Sequence, residues 1–140
     1  MNIRRINDQI SVSEQITPGD VGAIVAAGFQ TVINNRPDGE SPNQPTRAAI
    51  RAEVEKAGLR FVDIPFTSGR QSADDVAAFA ATLADSAGPV FAYCRTGTRS
   101  ATIWAMSQAG RLPVEQILAE AGSAGYDLSP LRPALQAMAR

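Results

Sequence analysis

The sequence predicts an α/β fold: a central, mostly parallel sheet flanked by helices. Three observations predict it. Short apolar runs alternate with amphipathic helical stretches, which implies a parallel sheet covered on both faces. Gly28, Gly58 and Gly88 fall 30 residues apart, each between a helix and the next strand. No sequence repeat accompanies that spacing, so it is the length of a βα unit and not a solenoid period. Finally, residues 90–104 read as strand, tight loop and helix start.

In chain order, two short β-like pieces come first, around Ile3–Ile6 and Ile10–Val12. Thr17-Pro18 reads as an N-cap with proline at the first helical position, and Asp20 lies in the first turn. Val21, Ile24 and Val25 share a face of that helix, and Gly28 closes it. Thr31, Val32 and Ile33 are strand-like. The loop after them runs through Asn34, Asn35, Arg36, Pro37, Asp38, Gly39 and Glu40 to Pro45. A second helix is predicted over 46–57, closed by Gly58, and a strand over 59–64. Residues 65–71 form another loop. Ser72 caps a third helix, with Asp74 and Asp75 in its first turn. Val76, Phe79, Ala80, Leu83, Ala84 and Ala87 recur along it at helical spacing. Gly88-Pro89 ends it. A fourth helix is expected from about Ser100 to Ala109, and two more over 113–121 and 130–139. No composition shift marks a second domain, so 1–140 reads as a single domain of a size that holds a real core.

Val90, Phe91, Ala92 and Tyr93 are the apolar run of a buried strand, and Cys94 follows at once. It is the only cysteine. Arg95, Thr96, Gly97, Thr98 and Arg99 form the loop, and Ser100 opens the helical stretch. Backbone N–H groups of such a loop point inward, and the helix N-terminus adds partial positive charge. Together they make an anion-binding nest. Arg99 adds a planar, two-pronged cation. A thiol at the base of that cradle is expected to have a lowered pKa and to attack as the thiolate. Ligands of parallel sheets bind at the carboxyl ends of the strands. The loops 34–45, 65–72 and 94–99 are therefore expected on one edge.

The totals narrow the chemistry. The chain has no histidine, which eliminates Ser-His-Asp and Cys-His pairs and disfavours zinc or other imidazole-rich metal sites. No metal or cofactor is expected. Hydrophobic content of 44% with 19% charged residues fits a globular chain. A net charge of -1 without a long basic run argues against nucleic acid or an anionic membrane as partner. The N-terminus has no apolar segment after its arginines, and no stretch reaches the roughly 18 apolar residues of a membrane span. One cysteine excludes an intrachain disulfide and fits a reducing compartment, hence the cytoplasm.

A lone cysteine is often only a buried structural thiol. The strand-loop-helix context with two arginines weighs against that here. Arg95 either faces the site or points outward and raises the local potential. Ser100 is either a helix N-cap or a donor to the thiolate. Thr96 and Thr98 are expected to contribute backbone N–H groups. Pro37-Asp38-Gly39 reads as a turn. Arg70 is a substrate contact or simply solvated, and Trp104 belongs in the core.

At its loop the sequence resembles cysteine-dependent phosphatases and rhodaneses. From about Ile3 to Ala109 it is similar to the phosphatase-like domain family associated with beta-lactamase-hydrolase-like proteins, some members of which are described as sulfur transferases. The matching stretches are VINNRPDGE (32–40), FVDIPF (61–66) and FAYCRTGTRSATIWA (91–105). The resemblance implies a fold like that of dual-specificity phosphatases. It assigns Cys94 as nucleophile, Arg99 as anion-binding arginine and Ser100 as the hydroxyl that follows it. Arg95, Thr96, Gly97 and Thr98 complete the anion loop. Three departures stand out. Four residues separate Cys94 from Arg99, one fewer than in tyrosine phosphatases, as in many rhodanese-type sulfurtransferases. Tyr93 stands where phosphatases usually have histidine. The loop PFTSGRQ (65–71), which normally carries the aspartic general acid, has none.

The first expectation is a cysteine-dependent phosphatase acting on aryl phosphomonoesters of the phosphotyrosine kind. Asp38, Asp63 and Asp74 are candidate general acids by loop position alone. The rival is a rhodanese-type sulfurtransferase carrying a persulfide on Cys94, for which no acid is needed. A third reading is a non-catalytic module that binds phosphorylated partners through the cradle. In each case the expected partner is a phosphorylated or sulfane-sulfur-bearing small molecule or protein.

Overall fold

The computed structural model describes residues 1–140. Its strands are β1 (Arg4–Arg5), β2 (Ile10–Ser13), β3 (Thr31–Asn34), β4 (Arg60–Asp63) and β5 (Val90–Tyr93). Its helices are α1 (Val21–Ala26), α2 (Arg47–Lys56), α3 (Ala73–Asp85), α4 (Thr98–Gln108), α5 (Val114–Ser123) and α6 (Arg132–Met138). The strands form one sheet in the order β1-β2-β5-β3-β4. Only β1 is antiparallel to its neighbour; β2, β5, β3 and β4 run parallel.

Alternation along the strands divides the core in two. Val90 and Ala92 of β5 join Ile33, Phe79, Leu83, Ile103, Trp104, Ile117 and Leu135, the cluster under α3 to α6. Phe91 and Tyr93 point the other way, to Val21, Ile24, Val32, Ile50 and Val54 under α1 and α2. Period-two patterning on a sheet buried on both faces requires apolar residues at every position, and all four residues of β5 are buried. Trp104 is fully buried, as expected.

Local chemistry sets the element ends. Thr46 Oγ1 accepts from the Ala49 amide at 3.2 Å, and Ser72 Oγ from the Asp75 amide at 3.0 Å, with the Asp75 carboxylate returning to the Ser72 amide at 2.9 Å. These caps start α2 and α3 where the sequence places them. Gly28 and Gly58 close the preceding helices at positive φ. Two expectations are corrected. The helix expected at Thr17-Pro18 opens as a 3₁₀ turn, Pro18–Asp20, before α1. The helix expected from Ser100 begins at Thr98, because Gly97 takes φ 95° and serves as the N-cap.

The register aligns the ends of the parallel strands. Ser13 lies opposite Tyr93, Tyr93 opposite Asn34, and Asn34 opposite Asp63. The segments after these four residues therefore leave from one edge. The sequence placed three loops there; the turn after β2 is a fourth. No helix is long and apolar enough to cross a membrane.

Candidate active site

Cys94 follows the last residue of β5 and is 1% exposed. The Gly97 amide donates to its sulfur at 3.0 Å. The chain needs four residues to pass from the strand end into α4, and the positive φ of Gly97 makes the turn sharp enough to bring that N–H back over the thiol. The Thr98 amide turns instead to Thr96 Oγ1, at 3.4 Å. The Thr96 hydroxyl donates to Thr98 Oγ1 at 3.1 Å. The two threonine side chains thus brace each other across the loop mouth, an arrangement the sequence reading did not contain.

Above the loop lies a polar pocket of about 470 Å³ lined by Glu40, Ser68, Arg95, Thr96, Thr98 and Arg99. Arg95 is exposed on its rim, and its carbonyl accepts from the Gln15 amide at 3.2 Å. Arg99 is 9% exposed. Its Nη1 donates to Glu40 Oε2 at 2.9 Å and to the Phe66 carbonyl at 3.1 Å. Its Nη2 donates to Glu40 Oε1 at 2.7 Å. The fork is thus held by a carboxylate in two-pronged geometry, the geometry that also suits a phosphate or sulfate. Arg36, 4% exposed, donates to the same Glu40 Oε1 at 2.8 Å, to Gln15 Oε1 at 3.1 Å and to Ser41 Oγ at 3.0 Å.

Glu40 is the carboxylate of this pocket. The Arg99 hydrogen bonds, with Arg36 adding to them against the cost of burial, hold its carboxyl at about 2, below the ordinary 4.5. Those same bonds, with a smaller contribution from Cys94, hold the Arg99 guanidinium protonated beyond its usual range. Glu40 is therefore ionised at neutral pH, an anchor for arginine and not a proton donor.

The other carboxylates stand elsewhere. Asp38 accepts from the Arg47 amide at 2.8 Å. Asp63 accepts from Asn34 Nδ2 at 2.9 Å and from Arg47 Nη1 at 3.0 Å. Both belong to a separate groove with Arg47, Arg51 and Phe61. Asp74 is exposed in the first turn of α3. None of the three lines the pocket that holds Arg99. Arg70 is exposed. No three His, Cys, Asp or Glu side chains converge as a metal site.

Ser100 is fully buried in the first turn of α4, past the N-cap, and its hydroxyl donates to Asn35 Oδ1 at 2.8 Å. Asn35 in turn donates from Nδ2 to the Ile64 carbonyl at 2.9 Å and from its amide to the Tyr93 carbonyl at 2.9 Å. One buried residue, through its backbone amide and its side chain, thus ties the ends of β5 and β4 to the helix behind the thiol. Its signal in the sequence is a pair of asparagines ending an apolar strand, since buried amides at a sheet edge are there to bond.

Comparison with known proteins agrees with this fold. Residues 2–111 match the family described as "Beta-lactamase hydrolase-like protein, phosphatase-like domain". A beta-lactamase hydrolase-like protein of Agrobacterium fabrum is 34% identical over 130 residues, 91% of this chain and 30% of that protein. The chain thus spans about a third of the length of the curated relatives it matches. The crystal structure of a putative phosphatase from Neisseria meningitidis superposes with a TM-score of 0.86 at 35% identity, covering 99% of both chains. Tk-PTP, at 16% identity, shares the fold with a TM-score of 0.75 over 98% of this chain and 95% of its own. With this sheet order, this strand-loop-helix turn and a family match over most of its length, the chain belongs to the beta-lactamase hydrolase-like protein, phosphatase-like domain family.

Proposed function

We propose that this protein is a cysteine-dependent phosphatase that hydrolyses aryl phosphomonoesters. The observation that carries the reading is the Gly97 amide donating to the Cys94 sulfur at 3.0 Å, in the loop that leads into the helix carrying the Arg99 fork. The Cys94 thiolate attacks phosphorus, the bond to the aryl oxygen breaks, and the phosphoryl group passes to sulfur. Arg99 and the loop amide hold its equatorial oxygens. Water then attacks the thiophosphate, releasing inorganic phosphate and restoring the thiolate.

The one carboxyl group lining the pocket, Glu40, is held ionised and is no general acid for the leaving oxygen. An absent general acid typically costs about 10²–10⁴-fold in rate. Substrates whose leaving group departs as a stable phenolate escape most of that cost, hence the aryl preference. The test is turnover of p-nitrophenyl phosphate by the reduced protein beside Cys94→Ser. Turnover lost in the variant supports the reading. Turnover absent in both, or equal in both, rejects it.

A second reading rests on one specific observation. The Arg99 fork is already filled by Glu40. A phosphoryl group must displace or share that carboxylate, whereas a single sulfane sulfur on Cys94 need not. Together with the four-residue loop, this favours sulfur transfer if the phosphatase test fails. The Cys94 thiolate would then attack the sulfane sulfur of thiosulfate or an organic persulfide, breaking the donor's S–S bond and releasing sulfite or a thiolate, and the persulfide left on Cys94 is seen as a gain of one sulfur in the intact mass.

A further inference from the structure

Tyr126 lies between α5 and α6, outside the stretch matched to the family. It is 8% exposed. Its hydroxyl donates to the Thr96 carbonyl at 3.2 Å. That carbonyl and the Gly97 amide belong to one peptide unit. The unit is trans, as are all the peptide bonds of the chain. In a planar trans peptide the C=O and N–H point in opposite directions. The carbonyl end is held by Tyr126, and the amide end is aimed at the Cys94 sulfur at 3.0 Å. Rotating the unit breaks both bonds together.

A second observation points the same way. A side chain at position 97 would collide with the Tyr126 hydroxyl. Glycine is thus required at 97 by the tyrosine as well as by the positive φ. The ring is fixed in its turn: Arg4 of β1 lies over it, 5.8 Å from the centroid, and the Tyr126 amide donates to the Ala121 carbonyl at 3.0 Å.

We propose that Tyr126 is a positioning residue for the nucleophile: it fixes the Thr96–Gly97 peptide so that the Gly97 amide stabilises the Cys94 thiolate. This rests on the reading of Cys94 as the reacting thiolate. The charged groups around the pair are Arg99 from α4, Arg4 from β1 and Glu14 after β2. Only the peptide passes from Tyr126 to the sulfur by hydrogen bonds.

The experiment titrates the ultraviolet absorbance of the thiolate against pH, each protein being read against the same chain carrying Cys94→Ser. Cys94 is the only cysteine, so the signal is assigned. Tyr126→Phe keeps the ring and its packing and removes the hydroxyl. Its titration midpoint is expected to rise by about half to one pH unit, that is, roughly three- to tenfold less thiolate below the midpoint. Leu135→Val, in the same C-terminal core, is the control for general loosening. Its melting temperature is expected to fall and its midpoint to stay.

An unmoved midpoint in Tyr126→Phe, with the wild-type midpoint lowered, overturns the positioning role and leaves the nucleophile intact. An equal rise in Leu135→Val also overturns it. A wild-type midpoint at the ordinary thiol value removes the activated nucleophile and this proposal together.

Discussion

Replacing Glu40 with glutamine is the sharpest perturbation of the site. The substitution keeps the shape of the side chain and removes its charge. Glu40 neutralises two guanidinium groups, Arg99 at 9% and Arg36 at 4% exposure, through three hydrogen bonds of 2.7 to 2.9 Å. Breaking a fully buried pair costs about 3–5 kcal/mol. The Glu40 side chain keeps 25% of its accessible area, so water offsets part of the loss, and about 1–3 kcal/mol is the reasonable range. For a domain of this length that lowers the melting temperature by roughly 4–10 °C.

A second effect distinguishes this account from simple damage. In the wild type an added anion competes with a tethered carboxylate for the Arg99 fork. In Glu40→Gln the fork faces a neutral amide, a weaker competitor, so sulfate should raise the melting temperature of the variant more than that of the wild type. The pH dependence has a fixed sign. The folded pKa of Glu40, about 2, lies below the ordinary 4.5. Its stabilisation is complete above about pH 4.5 and is lost as pH falls towards 2. The gap between wild type and variant should therefore close over that window. Thermal melts across pH, with and without sulfate, read all three effects. Equal melting temperatures at neutral pH, or equal gains from sulfate, refute the idea that Glu40 occupies the anion fork.

Other outcomes follow from the same geometry. Gly97→Ala places a side chain at φ 95° against the Tyr126 hydroxyl; a loss of at least about 1–2 kcal/mol is expected in chemical unfolding, together with a loss of turnover. Ser100→Ala leaves Asn35 Oδ1 buried without its donor, a cost of about 1–3 kcal/mol visible as a lower melting temperature. Asp38→Asn, Asp63→Asn and Asp74→Asn are each expected to keep p-nitrophenyl phosphate turnover within about threefold of wild type. A fall of the 10²-fold order typical of a lost general acid, in any one of them, would show that this aspartate reaches the pocket during turnover.

The sheet was legible because its signals are local. Thr46, Ser72, Gly28 and Gly58 fix helix ends through bonds to residues three or four away, and the four apolar residues before Cys94 can only be a buried strand. The position of the thiol at the start of the loop followed from that strand. Ser100 was misplaced as a candidate cap because serine is the commoner N-cap, whereas here a left-handed glycine three residues earlier takes the role without a side chain. Glu40 shows a different limit. It meets Arg99 across 59 residues, and nothing in the segment PDGE distinguishes it from Asp38, which is drawn to Arg47 instead. Tyr126 is separated from Thr96 by 30 residues and two whole helices. Such pairings depend on which side chain reaches across the shared edge, a property of the assembled fold.

The strand order has a consequence for how the chain is made. β5 lies between β2 and β3, yet it is the last strand to be synthesised. Until it arrives, β2 and β3 face a gap, and the two halves of the sheet share no ladder. Its insertion is a late step joining distant segments, the kind of pairing that folds slowly. Cys94 rides at the end of that strand. On a growing or half-folded chain it is an ordinary cysteine on a flexible tether. It gains the Gly97 amide and the neighbouring arginine only when the sheet closes, and the C-terminal tyrosine must then dock behind it. The order of the strands thus ties the assembly of the loop around Cys94 to the completion of the fold.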